Sequence, residues 1–267
     1  MEQTFRTEPW QVSTDTLALR NYGPLPGIGI VPINAFLIQA AQPVLVDTGI
    51  AEDRDAFMTA LRSIIDPKDL RWVWLTHTHP DHVGNLVQVL EQAPDARLVT
   101  TYLGMGLMQL MQLPLDRVYL LNPGQVLDVG DRKLVAIKPP TYDASESTGF
   151  MDNKTRTLFC VDCFGAVLSE PAETAADVPP TDLRDGMVTW ATIDSPWLAL
   201  VEEQAFAQSL YEVRKLEPRT ILSAHLSPAI DMTDTLLQHL AAARSAPPFV
   251  GPDQAALEQM MGSAPTG

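Results

Sequence analysis

Three of the five histidines in the chain fall within residues 76–82, THTHPDH. His77 and His79 are two residues apart, so at the end of an extended strand their rings point to the same side. Asp81 and His82 follow in a turn before an apolar helical stretch. These four metal-capable side chains already fill a single tetrahedral site, and further candidates downstream exceed it, so the sequence favours two metal ions about 3.5–4 Å apart. A histidine-rich surface patch is the alternative, although such a patch rarely lies between a buried strand and an apolar helix.

Two ligands downstream would complete a dinuclear site. Asp162 follows the strand-like run TLFCV, and His225 follows TILSA. Active-site groups of α/β proteins commonly gather at strand ends, which makes both residues candidates. His239 lies inside the helical run TDTLLQHLAAAR and is predicted to lie on a helix surface instead.

Composition and charge disfavour nucleic-acid-binding, membrane and secreted proteins. The 267 residues are 46% hydrophobic and carry a formal net charge of −15. This charge disfavours binding to nucleic acid or to an anionic membrane surface, and no apolar run reaches the roughly 20 residues of a membrane span. The first residues, MEQTFRTEPW, do not resemble a signal peptide. Two cysteines are too few for a disulfide scaffold, so the sequence predicts a cytoplasmic protein.

Alternating elements predict a layered α/β architecture. Short apolar strands alternate with helical stretches over residues 16–122. The later segments are predicted as hairpins over 125–140 and 147–162, a loop over 170–182, and helices over about 197–216 and 232–244. We predict a single domain over residues 1–246 and a partly mobile tail over 247–267.

Together, four features resemble the metallo-β-lactamase superfamily: HTHPDH (77–82), VLVDTG (44–49), LFCVDCFG (158–165) and the late His225. The resemblance implies an αββα sandwich with a dinuclear metal site at one edge of its two sheets. It also implies six metal ligands, among which Asp162 bridges the metals: His77, His79, Asp81, His82, Asp162 and His225. Asp47 matches an acidic residue that lies behind the site and orients ligands.

One position departs from this superfamily. PTYDASESTGF (140–150) occupies the loop that generally supplies a further histidine, and Asp143 stands where that histidine would be. Either the ligand is lost and one metal binds well, or Asp143 replaces it. We favour Asp143, because a carboxylate of similar reach can still coordinate a metal; Glu146 and Tyr142 are the nearby alternatives.

Within the superfamily, the chain more closely resembles the flavodiiron proteins and the related oxygen-binding di-iron proteins, through residues 64–86, 91–99 and 158–165. Flavodiiron proteins have glutamate at the position of His79 and histidine at that of Asp143. The two departures cancel, so four histidines and three carboxylates remain. The implied groups are His77, His79 and Asp143 at one metal and Asp81, His82 and His225 at the other. Two histidines with one carboxylate suit ferrous iron, with zinc as the alternative.

Three functions are compatible with this interpretation. The first is a non-haem di-iron protein that binds or reduces oxygen or nitric oxide. The second is a hydrolase of an ester, thioester, lactone or phosphoester that uses a metal-bridging hydroxide. The third is a sensor without turnover. Asp81 and Asp162 are the predicted catalytic carboxylates in either enzyme.

Residues 226–267 are too few for a flavodoxin domain. We therefore expect a stand-alone module with a small-molecule or diatomic ligand and a separate electron donor; a homodimer is compatible with this expectation. Near the site, Cys160 and Cys163 are interpreted as buried residues beside Asp162 rather than as metal ligands. Trp190 and Trp197 are predicted to overhang the metal edge.

Overall fold

The computed structural model describes residues 8–262, in which two β-sheets pack face to face. The first sheet has seven strands in chain order; β1 to β4 pair antiparallel, and β4 to β7 pair parallel. These strands are β1 (Trp10–Ser13), β2 (Thr16–Leu25), β3 (Gly29–Ile38), β4 (Val44–Val46), β5 (Trp72–Trp74), β6 (Arg97–Thr100) and β7 (Val118–Leu120).

The second sheet has six strands in the order β13-β12-β11-β10-β9-β8. All its neighbours are antiparallel except β11 and β12, which are parallel. Its strands are β8 (Val126–Asp128), β9 (Lys133–Ile137), β10 (Gly149–Asp152), β11 (Thr157–Phe159), β12 (Thr220–Ser223) and β13 (Leu226–Ile230).

The helices cover both outer faces. On the first sheet lie α1 (Arg54–Ile64), α3 (Leu86–Gln92) and α4 (Tyr102–Leu110), while the short α2 (Pro80–Val83) lies at the sheet edge. On the second sheet lie α5 (Pro180–Asp194), α6 (Glu203–Lys215) and α7 (Thr233–Ala243), and α8 (Gln254–Gly262) follows. Within residues 8–262, no helix has the length and apolar character that crossing a bilayer requires.

Period-two alternation of apolar side chains produces these layers. Val44 and Val46 point into the core between the sheets, where Trp74 packs on Phe150. Leu45 points the other way, into the core under α1 and α3. Successive side chains of a strand face opposite sides of a sheet, so strands that are apolar on both faces must be covered on both. The predicted αββα sandwich is confirmed.

Two predicted elements differ in the structure. The segment 170–182 was predicted as a loop, yet α5 begins at Pro180. The predicted helix over 197–216 is a 3-10 turn at Pro196–Leu200 followed by the separate α6. Ser195 has φ −128° and ψ 62°, because the residue before a proline avoids the helical conformation.

Four further elements were not predicted. β1 precedes the first predicted strand, and α2 forms where a turn was predicted. β13 extends the second sheet after His225, and α8 lies within the segment 247–267, which was predicted as a tail. Residues 263–267 of that segment lie outside the described part of the chain.

Candidate metal centre

The histidine segment lies at the edge of the first sheet. β5 leads through His77 and His79 into α2, which begins at Pro80 and carries Asp81 and His82. Proline suits the first position of a helix because its fixed φ is already helical. His77 and His82 are buried, whereas the side chain of His79 is 46% exposed. The segment therefore directs its ligands both into the sandwich and toward its surface.

The second sheet contributes side chains from three connections. Asp143 lies between β9 and β10, Asp162 just after β11, and His225 between β12 and β13. Val161 and Phe164, which flank Asp162, have φ values of 60° and 67°. Positive φ is sterically costly for a β-branched or bulky residue and is found where the surrounding structure enforces it, often at functional sites. Here it accompanies the turn that brings Asp162 to the histidines.

The two carboxylate oxygens of Asp162 face different histidines. Oδ2 lies 3.4 Å from Nε2 of His77. Oδ1 lies 3.1 Å from Nε2 of His82 and 3.2 Å from Nε2 of His225. Asp162 therefore lies between two groups of donors, in the arrangement that a bridging carboxylate requires.

The first group contains His77, His79 and Asp143. Asp143 Oδ2 is 2.9 Å from Nδ1 of His79, and its Oδ1 is 3.8 Å from Nε2 of His77. Trp197 fixes the loop before Asp143. Its indole donates a 2.8 Å hydrogen bond to the backbone oxygen of Tyr142, and the two rings pack together. Asp143 thus faces both histidines at the start of the segment.

The second group contains Asp81, His82 and His225. Asp81 Oδ2 is 3.3 Å from Nε2 of His82 and 3.4 Å from Nε2 of His225. The opposite ring nitrogens have their own partners: Nδ1 of His82 is 2.9 Å from Asp47 Oδ2, and Nδ1 of His225 is 2.7 Å from the Pro32 backbone oxygen. Both rings are therefore oriented with Nε2 toward the cluster, as for ligating histidines.

Three buried polar atoms in the cluster make no hydrogen bond: Nε2 of His77, Nε2 of His82 and Oδ1 of Asp162. Buried polar atoms without a partner are rare and call for a specific explanation. All three are metal-donor atoms that face a shared space, so the residues fit a bound cation.

The charges in the cluster depend strongly on one another. Burial by itself would lower the pKa of His82, but the carboxylates of Asp81, Asp162 and Asp47 raise it well above its usual value. Burial is likewise outweighed at His225, where Asp162 and Asp81 raise the pKa to about 9. Without a metal, the cluster thus holds protons on His82 and His225; a cation would take their place.

A family model described as "ODP family beta lactamase" matches residues 31–225. The chain belongs to this family. Putative diflavin flavoprotein A 3 from Nostoc sp. (strain PCC 7120) is 30% identical over 134 residues, which are 49% of this chain and 23% of that protein. Flavo-diiron protein FprA2 from Clostridium acetobutylicum is 26% identical over 140 residues, 52% of this chain and 35% of that protein. The ODP-family chain thus spans about a quarter to a third of the length of these relatives.

Solved structures show the same fold. Rubredoxin oxygen:oxidoreductase from Desulfovibrio gigas superposes with a TM-score of 0.79 at 18% identity, over 90% of this chain and 62% of that one. The fragment 1–254 of putative diflavin flavoprotein A 5 from Nostoc sp. PCC 7120 has a TM-score of 0.75 at 17% identity, over 92% and 97% of the two chains.

The ODP-family structure brings all seven predicted ligand residues into one cluster. The two alternatives to Asp143 lie in different surroundings. Glu146 is buried and accepts a 2.8 Å hydrogen bond from the Thr78 hydroxyl, so it holds the loop between the first two histidines. The ring of Tyr142 packs under Lys138, whose Nζ lies 3.8 Å from the ring centroid.

The remaining side chains considered from the sequence lie outside the ligand groups of residues 8–262. His239 is partly buried on α7 rather than fully on the surface. Cys160 and Cys163 are buried free thiols, as predicted, and burial raises the pKa of Cys163 to about 12.

Sequence analysis missed one acidic residue at the centre. Asp194, in the last turn of α5, is 8% exposed, and its carboxylate forms a group with those of Asp143 and Asp162 whose oxygens lie within 4.8 Å of one another. Burial, together with the neighbouring Asp162 and Asp143, raises the pKa of Asp194 to about 8. Its only sequence signal is the spacing of four residues from Trp190, which packs on His225.

Proposed function

We propose that this chain holds two iron ions and binds or reduces a diatomic oxidant, oxygen or nitric oxide. The observation that carries the proposal is the position of Asp162, whose two oxygens face two separate donor groups. Each group contains two histidines and one carboxylate besides Asp162. The name of the Clostridium relative, a flavo-diiron protein, agrees with this assignment.

The donor set supports iron over zinc. Two histidines and a carboxylate with open positions form the ligand set of non-haem ferrous oxygenases, and Asp143 adds an anionic oxygen ligand where the superfamily generally has a histidine. Cys160 and Cys163 are buried outside the ligand groups of the described residues. When bound, iron would supply the electrons and open coordination positions that a diatomic ligand needs.

The residues of the chain have distinct tasks in this proposal. Asp162 holds the two positions at a fixed separation, since one carboxylate joins them. Asp81 remains an anionic ligand: although burial opposes ionisation, His82 and His225 hold the pKa of this carboxyl well below its usual value. Asp81 is 27% and His79 46% exposed at the side chain, so these two residues mark the side from which a small ligand enters.

The experiment starts from protein purified without added metal. Two irons per chain are expected by elemental analysis. After anaerobic reduction with dithionite, admission of oxygen or nitric oxide should produce a new near-ultraviolet or visible absorption band. Dithionite replaces the electron donor, so the result does not depend on the identity of a partner protein. Asp162→Ala should lose both metals and the band, because the shared carboxylate is gone and the cations then repel each other.

The opposing result is equally definite. Stoichiometric zinc, no absorption change with either gas, and metal-dependent cleavage of a thioester, lactone or phosphodiester would overturn the di-iron proposal in favour of a hydrolase. One metal per chain that Asp143→Ala leaves unchanged would remove Asp143 from the site.

A further inference from the structure

Trp190 connects the end of α5 to the cluster of donor side chains. Its indole Nε1 donates a 3.0 Å hydrogen bond to the backbone oxygen of Asp162. Its ring lies against His225, with ring centroids 4.4 Å apart. Gly165 permits this approach, because a Cβ at that position would lie 2.4 Å from the indole nitrogen. The last turn of α5 is therefore held at a defined position beside the cluster.

Asp194 lies four residues after Trp190 and thus on the same face of α5. Its side chain is directed to the cluster: its carboxylate lies within 4.8 Å of those of Asp143 and Asp162. The Ser195 hydroxyl donates a 2.9 Å hydrogen bond to Asp194 Oδ2, which holds the carboxylate in place. Ligand atoms on opposite sides of one metal are about 4–4.5 Å apart at bond lengths of 2.0–2.2 Å. The three carboxylates could therefore bind one metal ion after only a small movement.

A second observation points to a cation here. Nε2 of His77, in the first donor group, is buried without a hydrogen bond, and His77 is more than nine-tenths buried. The group of Asp143, Asp162 and Asp194 shares two members with the histidine groups. Asp143 is partly exposed while Asp162 and Asp194 are buried, and three carboxylates this close repel one another unless a proton or a cation lies between them.

We propose that Asp194 is a further ligand of the metal ion beside His77, His79 and Asp143. This inference rests on the proposed dinuclear site and adds a residue to it. The four carboxylates, Asp81, Asp143, Asp162 and Asp194, then balance the charge of two divalent ions. The two metal positions become unequal, because only the first receives a ligand from α5.

The test compares Asp194→Asn with the wild-type protein. Asparagine keeps the shape of the side chain and can still accept the Ser195 hydrogen bond, but it removes the charge. Asp182→Asn is the matched control, since Asp182 is an exposed carboxylate in the first turn of the same helix. Each protein is titrated with Co²⁺ and with Fe²⁺ against a chelator of known affinity, and the visible Co²⁺ spectrum is recorded at one and two equivalents.

We expect Asp194→Asn to weaken one of the two metal affinities at least tenfold, to leave the other within threefold, and to change the Co²⁺ spectrum of the weakened position. Asp182→Asn should match the wild type throughout. Thermal unfolding of the metal-free variants separates folding from binding: Asp194→Asn should be about as stable as the wild type, because it keeps the side-chain shape and the Ser195 hydrogen bond and adds no charge. If it does not fold, Asp194→Glu replaces it, which keeps the carboxylate and should retain both metals with an altered Co²⁺ spectrum.

Native affinities and an unchanged spectrum in Asp194→Asn, or an unchanged spectrum in Asp194→Glu, would overturn the assignment of Asp194. Failure of the wild-type protein to bind two metals is a different outcome, because it removes the dinuclear site itself and with it both proposals.

Discussion

Asp47 Oδ2 lies 2.9 Å from Nδ1 of His82, on the side of the ring that faces away from the ligand cluster. The same carboxylate accepts hydrogen bonds from the backbone nitrogen and the hydroxyl of Thr76, at 2.8 and 2.7 Å. Asp47 therefore connects β4, the end of β5 and the His82 ring. It places the Nδ1 proton toward itself and leaves Nε2 directed at Asp81 and Asp162.

Asp47→Asn should reduce metal affinity, because the amide cannot orient and polarise the His82 ring as a carboxylate does. Loss of such an outer partner typically costs about 10- to 100-fold in metal affinity. Competition with a chelator measures the change, and Asp55→Asn on the exposed face of α1 is the control. Equal affinities for the two variants would show that Asp47 does not act through His82.

Asp143→His should shift metal preference toward zinc. The substitution gives five histidines and two carboxylates among the seven predicted ligands, and the loss of one anionic oxygen ligand disfavours ferric iron. We expect a higher zinc-to-iron ratio in protein grown with both metals, and a weaker absorption response to oxygen. Asp143→Glu keeps the charge and serves as the control. An unchanged metal ratio in Asp143→His would show that this position does not select the metal.

The metal-free protein should lose stability in base. Although burial opposes protonation, Asp162 and Asp81 raise the pKa of His225 to about 9, above the value of about 6.5 expected in the unfolded chain. A raised pKa means that protonation stabilises the fold fully below pH 6.5, and that this stabilisation is lost as the pH rises through 9. His225 alone should contribute about 3 kcal/mol, since one pKa unit corresponds to about 1.4 kcal/mol.

Urea unfolding of metal-free protein between pH 6.5 and 10 measures this loss, and His225→Gln should remove its share of the slope. Metal-loaded protein should behave in the opposite sense, because metals bind neutral imidazole and protons compete with them in acid. Stability of the metal-free protein that rises with pH across this range would contradict the assigned charges.

Arg132 should contribute strongly to the free energy of unfolding, although none of its partners is a proposed metal ligand. Its guanidinium is 1% exposed and pairs with the buried Asp152 at 3.0 Å, and with Asp131 and Asp15. Arg132→Ala leaves Asp152 buried without this partner, which should cost about 3–5 kcal/mol. Arg184→Ala, which breaks an exposed pair with Asp185, should cost less than about 1 kcal/mol. Urea unfolding measures the free energy of unfolding of the two variants. Similar losses in Arg132→Ala and Arg184→Ala would contradict this prediction.

Local pattern accounts for the parts of this protein that could be predicted. Val44, Leu45 and Val46 alternate between two cores, so the strand pattern alone indicated layers. The missed helix α5 shows the limit of such patterns. Gly186 stands in its middle, where a Cβ would lie 2.2 Å from the backbone oxygen of Val167; glycine lowers helix propensity, but here close packing on a neighbouring segment requires it.

The sequence by itself determined the ligand types and their local spacing, because His77, His79, Asp81 and His82 follow one strand end within six residues. Only the tertiary structure decided how the remaining donors meet them. The two oxygens of Asp162 separate two groups, and Asp194 approaches from a helix that no motif marks. These relationships join residues far apart in the chain through the packing of two sheets and α5, and no spacing along one strand or helix encodes a distance across that packing.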